Sequence, residues 1–340
     1  MLKKLFGKQE QRQPANTYWA VVARKRFVAD KVIELELRDP EGRDLASYTA
    51  GAHIDLYLNK DMVRQYSLAN SPAESDRYLV AVLVEEAGTG GSKAVDKEVQ
   101  EGDKLLISEP RNNFPLVEDA PFSVLVAGGI GLTPLLAMAY RLKALGRPFK
   151  FYYRARARSW AAYADLLVSE FADSVECLFS DEGGRDKFEL EKRLADLPAG
   201  TQLYTCGAND FMNYVTETAV KYLPEDNIHL EHFYPVPAAS TASDGSSDSS
   251  SEKAFELYCE KSDVTLQVPA DKSIVEVLDA HGIDIPVSCV EGVCGSCITA
   301  FTEGEVDHRD CVLSKSEREK KRLFTPCCSR AAGDRLVIDL

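Results

Sequence analysis

From Thr17 to about Pro115, apolar and polar residues alternate in short runs: Val32 to Leu37, His53 to Leu58 and Tyr78 to Val84, with Gly, Asp, Pro and Asn between them. A period of two puts successive side chains on opposite faces of a strand, and short strands with such punctuation predict an antiparallel barrel or sandwich. From Phe122 the pattern changes. Apolar strand-like runs (Ser123 to Val126, Lys150 to Tyr153, Gln202 to Thr205) alternate with helix-like segments (Leu135 to Leu145, Tyr163 to Phe171, Asp210 to Tyr222), which predicts a parallel sheet wound with helices. Pro235 to Glu252 holds almost nothing that can be buried, so a flexible tether is expected there. Beyond it, Phe255 to Tyr258 and Val264 to Val268 predict a hairpin, followed by a helix from about Ser273 to His281 and a cysteine-rich loop, the order of a ferredoxin β-grasp. The expected organisation is a disordered leader (1–16), a barrel (17–115), an α/β domain (116–236), a linker (237–252) and a small last domain (253–340).

Composition narrows the classes. A chain of 340 residues predicts two or three domains at roughly 100 to 200 residues each. The net charge of -14 argues against broad nucleic-acid binding, which needs a basic face. Nine cysteines, an odd number, cannot all form disulfides, and no export signal starts the chain, so a reducing cytoplasm is expected. Ala120 to Tyr140 is uncharged and long enough to cross a bilayer, but Gly128, Gly129, Gly131 and Pro134 break it into strand, loop and second element, so no membrane insertion is expected.

Cys289, Cys294 and Cys297 form C-x4-C-x2-C, with Cys327 a fourth candidate, the plant-type [2Fe-2S] pattern. Iron in such clusters takes soft thiolate donors, and Gly292, Gly295 and Ser296 are small enough for backbone N–H groups to approach the cluster sulfurs. A structural zinc site usually shows two C-x2-C pairs, and here there is one. Cys328 competes with Cys327 for the fourth position; on a strand the two would point to opposite sides.

In the barrel, Arg64-Gln65-Tyr66-Ser67 offers a guanidinium for a phosphate, a phenol face for a flat ring and a hydroxyl for a ring nitrogen. Gly88, Thr89, Gly90, Gly91 and Ser92 form a glycine-rich turn before a predicted helix, an arrangement that aims N–H groups at an anion. Together these suggest a flavin phosphate site. In the α/β domain, Ala127 to Pro134 lies between a predicted strand and helix, where doubly wound sheets bind nucleotides, and Cys206-Gly207 ends another strand. Cys206 has no base motif beside it and is expected to be a small buried hydrophobe rather than a nucleophile.

Taken in order, R-x-Y-S at Arg64 to Ser67, G-G-S at Gly90 to Ser92, A-G-G-I-G-x-T-P at Ala127 to Pro134, Cys206-Gly207, E-x-F at Glu231 to Phe233, the cysteine loop, Asp307 to Asp310, and Pro326 to Arg330 resemble the phthalate dioxygenase reductase family, the single-chain reductases of Rieske oxygenases that include vanillate O-demethylase reductases. The resemblance runs from about Tyr18 to Leu340. It implies a ferredoxin reductase-like pair of domains with a C-terminal ferredoxin, and electron flow from NADH through FMN and a [2Fe-2S] cluster to a Rieske-type oxygenase component. It places FMN against Arg64, Gln65, Tyr66, Ser67, Ala81, Val82, Leu83, Thr89, Gly90, Gly91 and Ser92, with Thr133 and Phe233 near its ring. NAD falls on Gly128, Gly129, Gly131, Thr133, Pro134, Arg156, Cys206 and Gly207. The cluster takes Cys289, Cys294, Cys297 and Cys327, the first of the last cysteine pair being the family's ligand. Several family members carry Arg where this chain has Thr89, which shifts phosphate binding toward Arg64, with Lys93 as a substitute. A ferredoxin placed last implies FMN rather than FAD. Arg154, Arg156 and Arg158 would suit a 2′-phosphate, but alternating arginines after a strand are more often solvated. Other readings are a reductase for a cytochrome P450 or another acceptor, and a non-enzymatic iron–sulfur module, which has no use for the flavin and nicotinamide motifs. The charged run Lys315 to Arg322 is expected to be a solvated helix, and Asp307 and His308 to belong to a turn.

Overall fold

The computed structural model describes residue 14 and residues 16–59, 62–88, 90–183, 188–233, 253–313 and 315–340. Two compact units divide between Phe233 and Tyr234. The expected tether and most of the expected leader lie outside the described residues, as does Thr89.

The first unit begins with β1 (Thr17–Ala29), β2 (Val32–Arg38), β3 (His53–Asn59), β4 (Met62–Ser67), β5 (Tyr78–Leu83), helix α1 (Gly91–Lys97) and β6 (Lys104–Ser108). The strands form one antiparallel sheet in the order β4-β3-β6-β1-β2-β5, and a bridge between Leu68 and Val80 brings its two edges together as a barrel. Ile33, Leu35, Leu37, Ile54 and Leu56 fill the interior, as their alternation requires. The intervening Glu34 and Glu36, on the opposite face of the strand, are also buried, at 2% and 7% exposure. Glu34 accepts from Arg26 at 2.7 Å and from the Tyr163 hydroxyl at 2.8 Å, while Glu36 pairs with Arg38 at 2.6 Å. The outer face of β2 is covered there by the α/β domain, which the strand's own pattern does not reveal.

That domain contains β7 (Ser123–Gly128), α2 (Leu132–Ala144), β8 (Phe149–Ala155), α3 (Ala164–Phe171), β9 (Val175–Phe179), α4 (Leu190–Leu194), β10 (Gln202–Cys206), α5 (Asn209–Ala219) and β11 (Ile228–Glu231). The five strands are parallel in the order β11-β10-β7-β8-β9. The winding reverses between β7 and β10, which opens a crevice at their carboxyl ends. Helix α2 starts three residues before the expected Leu135, because Pro134 sits in its first turn, where a missing N–H costs no hydrogen bond. It is apolar on nearly all sides. Val32, Ala50, Ala69 and Ala81 of the barrel share one core with Leu132, Leu136 and Met138 of α2 and Phe151 and Tyr153 of β8.

The second unit contains β12 (Phe255–Cys259), β13 (Val264–Val268), α6 (Ile274–Ala280), β14 (Thr299–Glu303), β15 (Val306–Asp307), α7 (Lys315–Glu319), β16 (Leu323–Phe324), β17 (Arg330–Ala331) and β18 (Arg335–Ile338). Its main sheet runs β13-β12-β18-β14-β16, with β12 and β18 parallel. Ser273 caps α6 reciprocally with Glu276, each satisfying a backbone N–H of the other, so the helix starts where its first turn needs an acceptor. Phe255, Leu257, Ile274, Leu278, Phe301, Phe324, Leu336 and Ile338 close the core between helix and sheet. Among the described residues no helix is long and apolar enough to cross a membrane.

Candidate functional site

Strand β4 presents the R-x-Y-S residues in register with β3: Arg64 lies opposite Leu56, Tyr66 opposite Ile54, Gln65 opposite Asp55 and Ser67 opposite His53. Arg64 and Tyr66 therefore share one face, Gln65 and Ser67 the other. Tyr66 packs against the barrel core, and burial raises its phenol pKa. Arg64 donates to the Val63 carbonyl at 2.7 Å, and its side chain lies across Gly91. A Cβ on Gly91 would come within 2.5 Å of Arg64 Cγ, so only glycine seats that side chain there. Gly90, at φ +94°, turns the chain into α1, and Ser92 Oγ accepts from Glu85 N at 3.1 Å to close the loop. Lys25, not singled out by any motif, donates to the carbonyls of Val95, Asp96 and Val99 at 2.9, 2.7 and 2.8 Å and holds the far end of α1. Ala81, Val82 and Leu83 end β5, the strand before this loop.

At the crevice, the glycines are packed by neighbours rather than left open. A Cβ on Gly131 would lie 2.3 Å from the Cys206 carbonyl oxygen, and one on Gly207 3.1 Å from Gly128 Cα. The turns after β7 and β10 thus touch. A Cβ on Gly128 would meet the Phe211 ring at 2.6 Å, which makes Phe211 a wall of the crevice; no motif pointed to it. Gly129 takes φ +56°. Thr133 is buried, its hydroxyl donating to the Ile130 carbonyl at 3.2 Å. Pro134 lies buried within α2. Arg154 departs from the solvated expectation: its guanidinium packs on Phe188 and Phe211 at 5.1 and 5.6 Å. Arg156 rests on the Trp160 ring at 5.7 Å and Arg158 on Phe179 at 4.6 Å.

Barrel and crevice meet at Glu231, which pairs with Cys206 across β11 and β10. Its carboxyl hydrogen-bonds Ser67 of β4, while Oε2 is buried with no hydrogen-bond partner. Burial pushes the Glu231 pKa up to about 8, with Ser67 acting against the shift. The Cys206 thiol is fully buried, and that burial, reinforced by Glu231, pushes its pKa well up. It is a protonated wall atom, not a nucleophile. Glu231 was visible in the sequence as part of E-x-F; its burial was not. Phe233, two residues on, is half-buried at the end of this segment.

In the second unit, the side chains of Cys289 and Cys294, of Cys289 and Cys327, and of Cys297 and Cys327 are within hydrogen-bonding reach. Contacts with Cys294 and Cys327 hold the Cys289 thiol well below its usual pKa. Among the described residues no three metal-binding side chains gather about a single ion position. Pairwise contacts join Cys294 to Cys289, Cys289 to Cys327, Cys327 to Cys297 and Cys327 to Cys328, and the C-x4-C-x2-C spacing of the first three is that of a plant-type two-iron cluster. Glu291 N points at Cys289 Sγ at 3.3 Å and Ser296 N at Cys294 Sγ at 3.4 Å; of these two donors only Ser296 is one of the small residues expected in that role. Cys327 and Cys328 sit in a turn rather than on the strand considered from sequence. The Cys328 thiol touches Cys327, with Thr325 Oγ1 at 3.2 Å, and a Cβ on Gly292 would lie 2.5 Å from its sulfur.

Residues 257–332 match the family model of the 2Fe-2S iron–sulfur cluster binding domain. A vanillate O-demethylase oxidoreductase from Pseudomonas sp. (strain HR199 / DSM 7063) is 43% identical over 94% of this chain and 99% of its own length. The solved phthalate dioxygenase reductase, described as modular for electron transfer from pyridine nucleotides to [2Fe-2S], superposes with a TM-score of 0.68 at 33% identity, covering 95% of this chain and 98% of that one. The chain belongs to the phthalate dioxygenase reductase family. Like its relatives in that family, it is an electron-transfer oxidoreductase with a C-terminal [2Fe-2S] ferredoxin domain. This membership spans both units and sets aside the non-enzymatic iron–sulfur module. The family's architecture also occurs as part of a longer chain: an intact type IV self-sufficient cytochrome P450 monooxygenase matches at TM-score 0.84 and 36% identity, over 97% of this chain and 43% of that one.

Proposed function

We propose that this protein is the cytoplasmic NADH-dependent reductase component of a two-component Rieske non-haem iron oxygenase, of the aromatic dioxygenase or O-demethylase type. In this reading residues 17–115 bind FMN, 116–236 bind NADH and 253–340 carry the cluster, with Cys289, Cys294, Cys297 and Cys327 as ligands. One observation carries it: Ser67 of the R-x-Y-S strand is hydrogen-bonded to Glu231, beside Cys206 at the nucleotide crevice, so the two sites share a wall.

Bound in these sites, the nicotinamide supplies two electrons as hydride, the flavin converts them to single electrons and the cluster carries them one at a time. The chain's own residues bind and orient. Arg64, laid across Gly91, meets the flavin phosphate with a fixed charge, and Lys25 keeps α1 and Gly91 beneath it. Tyr66 offers its ring face to the flat ring system. Gly128, Gly131 and Gly207 let the turns after β7 and β10 and the Phe211 ring pack together as the crevice wall, while Gly129 has open space beside it for the dinucleotide. Glu231, half-buried with its Oε2 shielded, holds a proton near neutral pH, while the Ser67 hydroxyl beside it favours the charged form.

The test compares NADH-driven reduction of cytochrome c by wild type and Cys294→Ser. The variant, folded and flavin-loaded, is expected to lose most of this activity; an unchanged rate would take the cluster off the path. A cytochrome P450 acceptor is the second reading, favoured by the match to the self-sufficient P450 chain. Turnover with a Rieske oxygenase and not with a P450 decides between them.

A further inference from the structure

The Asp307 to Asp310 segment and the charged run from Lys315 hold neither the flavin, the nucleotide nor the cluster in the proposed function. They meet. Asp310 has no exposed side-chain surface, and Arg318 turns inward from α7 to reach it, contrary to the solvated helix expected there. Arg318 Nη2 donates to the Asp310 carbonyl at 2.7 Å and to its Oδ2 at 3.2 Å, and Leu313 N donates to Oδ2 at 2.9 Å. Oδ1 has no hydrogen-bond partner among the described residues and faces His308 Nδ1 at 3.5 Å.

This pair stands directly behind the C-x4-C loop. A Cβ on Gly292, at the loop's midpoint, would lie 2.9 Å from Asp310 Cα, and Cys311 N donates to the Gly292 carbonyl at 3.1 Å. A buried carboxylate is a fixed negative charge in a low-dielectric setting, and a guanidinium beside it offsets most of that charge. Cluster potentials follow net charge and hydrogen bonding nearby.

We propose that the Asp310–Arg318 pair is a positioning brace for the iron–sulfur loop, holding Gly292 from behind and setting the cluster's potential through the balance of its two charges. The proposal rests on the [2Fe-2S] reading of the cysteine loop.

Potentiometric titration of the full chain, read by cluster absorbance, tests it with Asp310→Asn, Arg318→Gln and Arg318→Lys. Removing the negative charge should move the midpoint potential positive, removing the positive charge should move it negative, and Arg318→Lys should stay at the wild-type value. A merely structural role moves the first two the same way or not at all, and either result overturns the proposal. Should a neutralising variant shed its cluster, retention by Arg318→Lys supports the brace and equal loss from Arg318→Lys overturns it. Flavin bleaching by NADH takes place in the other unit and serves as the separate check. A wild-type chain that takes up no cluster, or whose flavin NADH leaves oxidised, marks failure of the functional reading instead.

Discussion

Glu231 lies where a barrel strand and a nucleotide-domain strand end together, and its raised pKa has a consequence for stability. Burial pushes the carboxyl up to about 8, against 4.5 for a solvated glutamate. Between those values the native state holds a proton that the unfolded chain has released, so this group's contribution is complete below about pH 4.5 and is lost as pH rises through about 8. Glu231→Gln removes the titration. Urea midpoints of the flavin-free protein from pH 5 to 9 should show the variant gaining on wild type as pH rises; parallel profiles would contradict the buried carboxyl. With Ser67 deprived of its acid partner, reduction of the bound flavin by NADH should slow about 100-fold, the low end of what losing a positioned proton group costs.

Among the elements, α1 shows how a short segment is made rigid. Its seven residues are too few to form a stable helix alone, and Lys25 of β1 supplies three charge-assisted hydrogen bonds to carbonyls at its end. Lys25→Met should free α1 and let Gly91 drift from Arg64. FMN affinity should then fall about tenfold, the equivalent of one charged hydrogen bond, while riboflavin, which lacks the phosphate, binds as before. Equal loss for both ligands would mean that Lys25 only supports the fold. Most elements were legible because local chemistry specified them: the alternation of β2 and β3, the apolar run of β7 and the Ser273 cap of α6 each give the right element. What stayed hidden depends on distant partners. The Glu34 and Glu36 face is buried because Tyr163 and the arginines cover it, Arg154 packs on the stacked rings of Phe188 and Phe211, and Arg318 turns inward to the Asp310 carboxylate. The site was legible in the same measure. Cys289, Cys294 and Cys297 stand out by type and spacing, R-x-Y-S gains weight only beside the glycine turn, Cys327 is preferred to Cys328 only through the family resemblance, and the places of Lys25, Phe211 and Glu231 need the fold.

At the scale of the whole molecule, the chain divides into two compact units: in one the R-x-Y-S strand and the crevice meet at Glu231, and the other brings Cys327 to the thiols of the loop from Cys289 to Cys297. Neither suffices alone, because a hydride donor and a one-electron cluster need a converter between them. The central claim is that electrons enter at the first unit and leave from the second. Anaerobic stopped-flow mixing of the intact, cofactor-loaded protein with NADH, following flavin and cluster absorbance separately, tests it most directly. Flavin bleaching should come first and cluster bleaching after it, with only the first phase left in Cys294→Ser. Cluster bleaching that precedes the flavin, or persists when FMN has been removed, would contradict the account.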